Sequence, residues 1–156
     1  MTDYRPDGYS TMTPMLVVTD AAAAIAFYET VFGARQVARM DGPGGQVLHA
    51  ELELEAGRFQ VMDANETYHM VALDAADDNV PYSVAIYVAD CDAVTSKASA
   101  SGATVREPAA DFDLTGDRFS SIRDPFGVRW SVMTRSVPRT DAEIQAGLDA
   151  WRDSMK

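Results

Sequence analysis

The chain has 156 residues, 47% of them hydrophobic, and carries 13 Lys and Arg against 24 Asp and Glu, a net charge of −11. That length suits one domain with a sizeable core. No apolar run approaches the about 20 residues of a membrane span, and the acidic balance is wrong for nucleic acid, whose phosphates demand basic patches. The N-terminus is polar and lacks a signal-peptide core. The single cysteine, Cys91, excludes an internal disulfide and fits a reducing compartment, so a cytoplasmic protein is expected. The acidity either keeps the surface soluble, the plainer reading, or steers a cationic ligand toward it.

Residues 1–10 read as a disordered or loosely docked arm. Met12 to Val18 is apolar and β-branched, a strand. Asp20 then suits a helix N-cap, since its carboxylate can accept from free backbone N–H groups. Ile25, Tyr28 and Phe32 recur at helical spacing, with Phe27 and Val31 widening the stripe. Gly33 ends the helix by taking the left-handed conformation that follows a helix terminus. Arg35 to Met40 predicts a strand, and residues 41–45 a turn. From Val47 to Glu55 the pattern alternates. Leu48, Ala50, Leu52 and Leu54 share one face, and His49, Glu51, Glu53 and Glu55 the other, as in a half-buried strand. Ala56-Gly57 turns the chain into a further strand, Arg58 to Ala64.

Residues 65–81 form a polar connector, long for a loop. Tyr82 to Val88 predicts a strand, and Asp90 caps a helix with Cys91, Val94 and Ala98 on one side, ended by Gly102. Ala103 to Arg106, Arg118 to Arg123 and Val128 to Met133 predict three more strands, with a loop over residues 111–117 and a turn over residues 124–127. Thr140 and Glu143 have capping-box spacing. Ile144, Leu148 and Trp151 follow at i, i+4 and i+7. They predict an amphipathic terminal helix over about residues 140–153 that docks on the body or on a second subunit.

The two halves repeat one another. Val18-Thr19-Asp20 matches Val88-Ala89-Asp90, Gly33-Ala34 matches Gly102-Ala103, and Arg58-Phe59-Gln60-Val61-Met62 matches Arg129-Trp130-Ser131-Val132-Met133, at offsets of 70, 69 and 71 residues. Offsets held that steadily mean two copies of one supersecondary unit. The expected fold is α+β, one domain over residues 1–156. It comprises a first module at about 12–64, a second at about 82–134, and the terminal helix.

Strand, helix and three strands, twice over, with Val-x-Asp helix starts and Asp124-Pro125-Phe126-Gly127 before the last strand, resembles the vicinal oxygen chelate superfamily. This is the group of glyoxalase I, bleomycin-resistance proteins and extradiol dioxygenases. His49-Ala50-Glu51-Leu52, Gly116-Asp117-Arg118 and the Trp130 that follows the turn resemble its small glyoxalase-like branch, sometimes labelled 3-demethylubiquinone methyltransferase-like. The resemblance covers residues 12–134. It implies two βαβββ modules whose mixed sheets curl around a cleft, and a homodimer. In enzymes of the group it also implies a divalent metal held from the first and last strands of each module. Carried over, those positions are Thr13, Val61, Ser83 and Val132, or Gln60 and Ser131 after a one-residue slip. None is a carboxylate, imidazole or thiolate, so neither metal nor other cofactor is expected.

If those four positions face the cleft, alternation sets Met15 and Val17 beside Thr13, Phe59 and Asp63 beside Val61, Ala85 and Tyr87 beside Ser83, and Trp130 beside Val132. Ligand contacts are then expected from Met15, His49, Glu51, Phe59, Tyr87, Arg118 and Trp130. His49 and Glu51, about 7 Å apart at the backbone, are the one acid–base pair suggested; the plainer alternative is a solvated or hydrogen-bonded strand face. Phe59 and Trp130 either stack a planar ligand or are core. Arg118 either clamps an anionic group or pairs with Asp117 or Asp124. Cys91 is at a helix start, where thiolate is favoured, but its spacing with Val94 suits a core residue better. His69 reads as a surface residue. Two functions fit: a metal-free protein binding a small aromatic or cationic molecule, as in drug or toxin sequestration, or a lyase, isomerase or dioxygenase using His49 and Glu51.

Overall fold

The capping aspartates act as their positions predict. In a computed structural model that describes residues 4–156, Asp20 accepts from the Ala23 backbone N–H at 2.9 Å and Asp90 from that of Ala93 at 2.9 Å. Each satisfies a donor that a helix start leaves free. The chain runs β1 (Met15–Val18), α1 (Ala21–Phe32), β2 (Arg35–Asp41), β3 (Val47–Leu54), β4 (Gly57–Asp63), β5 (Ser83–Tyr87), α2 (Cys91–Ala100), β6 (Thr104–Phe112), β7 (Asp117–Arg123), β8 (Arg129–Arg135) and α3 (Asp141–Ser154). Gly33 closes α1 at φ +68°, a conformation that costs a residue with Cβ about 1 kcal/mol or more.

The repeat becomes two sheets of four strands in the same order, β1-β4-β3-β2 and β5-β8-β7-β6. In each, the first strand runs parallel to the last, and the other pairs are antiparallel. The fold is α+β with mixed sheets, as the sequence predicts. The chain divides into two compact units: Met1–Tyr82 with Asp124–Val128, and Ser83–Arg123 with Arg129–Lys156.

In the first unit α1 buries Ala21, Ala24, Ile25, Phe27, Tyr28 and Val31. The small alanines allow close approach to the sheet, and the aromatic residues fill the volume. Tyr28 sits at the centre. Its ring lies edge-on to Phe27 at 5.7 Å and to Phe59 at 5.5 Å, and is stacked with Phe32 at 6.0 Å. The turn that joins β7 to β8 belongs to this unit. Phe126 lies 6.2 Å from Phe27, and Asp124 Oδ2 accepts from the Tyr28 hydroxyl at 2.8 Å. Asp124 Oδ1 also takes the N–H groups of Phe126 and Val128, both at 2.9 Å. Burial first, and the Asp124 charge next, push the Tyr28 hydroxyl well above its ordinary range, so it stays a donor.

Three elements differ from expectation. β1 starts three residues later than Met12. β6 continues to Phe112 rather than stopping at Arg106, because register shifts around Glu107 carry Pro108 through the ladder. The connector contains a short 3-10 turn, Glu66–Tyr68, closed by His69 at φ +54°. In α3 the capping box forms as predicted. No α3 residue is buried, however, and Leu148 and Trp151 are 40% and 54% exposed. No helix among the described residues is long and apolar enough to cross a membrane.

Candidate functional site

Two side chains determine which face of each sheet carries its helix. Asp63, at the end of β4, accepts from the Ala21 N–H that opens α1 at 2.7 Å, and from the Val47 N–H at 2.7 Å. At the equivalent point of β8, Thr134 accepts from the Cys91 N–H that opens α2 at 2.9 Å and donates to the Val88 carbonyl at 2.8 Å. Side chains alternate along a strand. Phe59, Val61 and Asp63 therefore face α1, and Trp130, Val132 and Thr134 face α2.

This corrects the facing expected from the sequence. Phe59 pairs with Leu52 and Val61 with Ala50 across the ladder, and all four are buried against the helix. Trp130, 2% exposed, pairs with Ile122, which is fully buried. Phe59 and Trp130 are core residues, and Asp63 is a helix-capping group. Arg118 is also on the helix side. It holds Asp92 of α2 through Nε and Nη2, both at 2.8 Å, and Asp111 at 3.3 Å, rather than Asp117 or Asp124. Cys91 Sγ donates to the Val132 carbonyl at 3.3 Å, and burial pushes its thiol up, the opposite of an activated thiolate.

The far face of the first sheet brings Met15, His49 and Glu51 together. Register aligns Met15 of β1, Gln60 of β4 and Glu51 of β3 in one cross-strand row. In the next row Met62 of β4 and Met40 of β2 flank His49 on β3. His49 Nε2 lies 3.3 Å from Glu51 Oε1. Below them, Arg58 Nη1 is 3.8 Å from Glu51 Oε2, while its Nη2 holds Glu53 at 2.9 Å. Tyr9, in the N-terminal arm, adds what sequence reasoning missed. Its phenol lies beside the Glu51 carboxylate, and its ring lies under the Arg58 guanidinium, 4.9 Å from the centroid. The Tyr9 hydroxyl first, then His49 and Arg58, hold the Glu51 carboxyl below its ordinary range against the opposing effect of burial. Met15 is 38% exposed, and the His49 and Glu51 side chains 31% and 20%. The face thus combines polarizable thioethers, an imidazole and a carboxylate held ionised.

The far face of the second sheet holds Tyr87. Its hydroxyl reaches Asp117 Oδ2 at 3.4 Å, and Asp117 Oδ1 accepts from Arg135 Nε at 2.8 Å. Arg135 also lies 6.0 Å from the centre of the Tyr87 ring. Ser83, Ala85, Ser131 and Met133 share this face by register.

The residues present do not fit the metal site that the resemblance implies. Val61 and Val132 are fully buried against their helices. Their far-face neighbours offer the amide of Gln60, the hydroxyl of Ser131 and the thioethers of Met62 and Met133. A catalytic divalent ion takes three or more imidazole, carboxylate or thiolate groups. Among the described residues no group of three His, Cys, Asp or Glu side chains is arranged to hold an ion.

The fold agrees with what comparison finds. The chain belongs to the Glyoxalase/Bleomycin resistance protein/Dioxygenase superfamily, matching it over residues 11–132. It is 34% identical over 146 residues to an uncharacterized protein of Mycobacterium bovis, covering 91% of this chain and 94% of that one. An uncharacterized protein of Mycobacterium tuberculosis is equally similar, with 84% of its length covered. Among solved structures, TioX from Micromonospora sp. ML1 superposes with a TM-score of 0.63 at 28% identity, over 81% of this chain and 98% of that one. The fosfomycin resistance protein FosX from Listeria monocytogenes, solved with Mn(II) and sulfate, shares the fold at 13% identity and a TM-score of 0.62, over 86% of this chain and 95% of that one.

Proposed function

We propose that this protein binds a small aromatic or cationic molecule on the far face of its first sheet, without a metal, and so acts by sequestration. The observation that carries the reading is the pair of rows just described: Met15, Gln60 and Glu51 beside Met62, His49 and Met40. An ionised carboxylate among thioethers suits a ligand with a positive charge and a polarizable ring. Thioether–aromatic contacts contribute about 0.3–1.5 kcal/mol each. The acidic surface would raise the local concentration of such a ligand. Met15, His49 and Glu51 are the contacts on this face; Tyr87 is an additional candidate on the second sheet.

A second reading is supported by the 3.3 Å spacing of His49 Nε2 and Glu51 Oε1. A carboxylate in that position orients an imidazole for proton transfer, as a lyase, isomerase or dioxygenase would need. A homodimer in the cytoplasm remains our expectation for either function.

The test is a thermal-shift screen of bleomycin and simple aromatic cations, with chelator present, on wild type and His49→Ala. Binding that survives chelation and weakens at least tenfold in His49→Ala supports the reading. Unchanged binding by His49→Ala, or binding only after a divalent ion is added, would overturn it.

A further inference from the structure

The arm that carries Tyr9 runs outside the regular elements. Residues 4–8 and Ser10 are exposed, Tyr4 at 86%, and none lies in a helix or strand. Tyr9 alone among residues 4–10 is half-buried, and it is held by contacts that would recognise a separate molecule. The guanidinium of Arg58 covers its ring, a cation–π arrangement, and its hydroxyl lies beside the Glu51 carboxylate, whose ionised form it favours. Gly8 makes the approach possible. It takes φ +82°, and a Cβ there would be 2.8 Å from Arg58 Nη2.

We infer that Tyr9 fills a subsite of the proposed ligand face, and that the subsite takes a phenolic ligand, its ring against Arg58 and its hydroxyl donating to Glu51. The inference rests on the proposed function and adds to it the chemical class of the ligand. Arg58 and Glu51 are both anchored independently of Tyr9, Arg58 by Glu53 at 2.9 Å and Glu51 by His49 at 3.3 Å. The subsite is therefore built by β3 and β4 and persists when Tyr9 leaves. The cross-strand partner of Glu51 is Gln60, itself beside Met15. A phenol bound there continues directly into the rest of the face. The arm is then a tethered competitor, present at an effective concentration of order millimolar as short flexible tethers give.

The test is calorimetric titration of tyramine, a cationic phenol, into wild type, Tyr9→Ala and the double variant Tyr9→Ala/Glu51→Gln. Amide NMR shifts identify the residues touched. The inference expects Tyr9→Ala to bind at least tenfold tighter than wild type, with shifts at Glu51 and Arg58, and the double variant to lose that gain. Equal binding by wild type and Tyr9→Ala, with shifts at Met15 and Met62 but not at Arg58, would overturn the subsite and leave the binding face intact. No tyramine binding by either protein overturns the subsite too; the face itself then falls only if the wider panel of aromatic cations also fails.

Discussion

Replacing Tyr28 by Phe removes one oxygen from the centre of the first unit and leaves every ring contact in place. The lost group is the donor to Asp124 Oδ2 at 2.8 Å, between two buried residues. No cavity larger than a hydroxyl opens, so the cost is that of one hydrogen bond to a charged acceptor, about 1.5–3 kcal/mol. For a chain of this size each kcal/mol corresponds to about 2–4 °C in melting temperature. The variant should therefore melt roughly 3–12 °C lower, with the urea m-value unchanged. Asp124→Ala should cost more, because the same carboxylate holds the N–H groups of Phe126 and Val128. The two substitutions together should cost less than their sum, since they share a partner. The wild-type bond should hold through the neutral range. The raised value of Tyr28 means that its contribution is complete below the ordinary tyrosine range and is lost only as pH rises through the folded value. A loss below about 0.5 kcal/mol in both single variants, a typical neutral surface change, would refute the claim that this bond ties the turn to α1.

The other predictions test the repeat and the arm. Asp63→Ala removes the acceptor of two backbone N–H groups at 2.7 Å each, and should destabilise by about 3 kcal/mol or more in denaturant unfolding. Thr134→Val, its counterpart, loses neutral bonds and should cost about 1–2 kcal/mol; the reverse order would count against equivalent roles. Glu51 is held below its ordinary range, so arm docking should be complete above that range and be lost as pH falls through the lowered value. Tyr9 is raised, chiefly by Glu51, so docking should also be lost as pH rises past its elevated value, above about 10. Tyr9 ring signals followed by NMR against pH would show both limits. Docking unaffected by acid would mean that Glu51 is not the anchor.

Element order was legible because it rests on local signals. Capping aspartates and Gly33 act within a few residues, and the repeat presents such signals a second time at offsets of 69 to 71 residues. The phase of β3 was also legible, since its apolar and charged residues alternate cleanly. The phase of β4 was not, because Val61 and Met62 are both apolar and either could face the core. The signal that sets it is Asp63, whose carboxylate reaches two backbone N–H groups, one of them 42 residues earlier in the chain. An error of one residue there exchanged Phe59 for Gln60 and Trp130 for Ser131. Tyr9 and Arg118 were missed or mispaired for a different reason. Their partners, Glu51 and Asp92, are distant in sequence and carry no periodicity that would announce them. His49 and Glu51 came out together because strand alternation alone places them on one face.

The central claim is that the far face of the first sheet binds its ligand without metal. Methyl-labelled methionine NMR tests it directly, since Met15, Met40 and Met62 report that face while Met133 reports the second sheet. With chelator present, titration of an aromatic cation should shift the methyls of Met15 and Met62 saturably and leave that of Met133 unmoved. Shifts confined to Met133, or shifts at Met15 and Met62 that vanish with chelator, would contradict it.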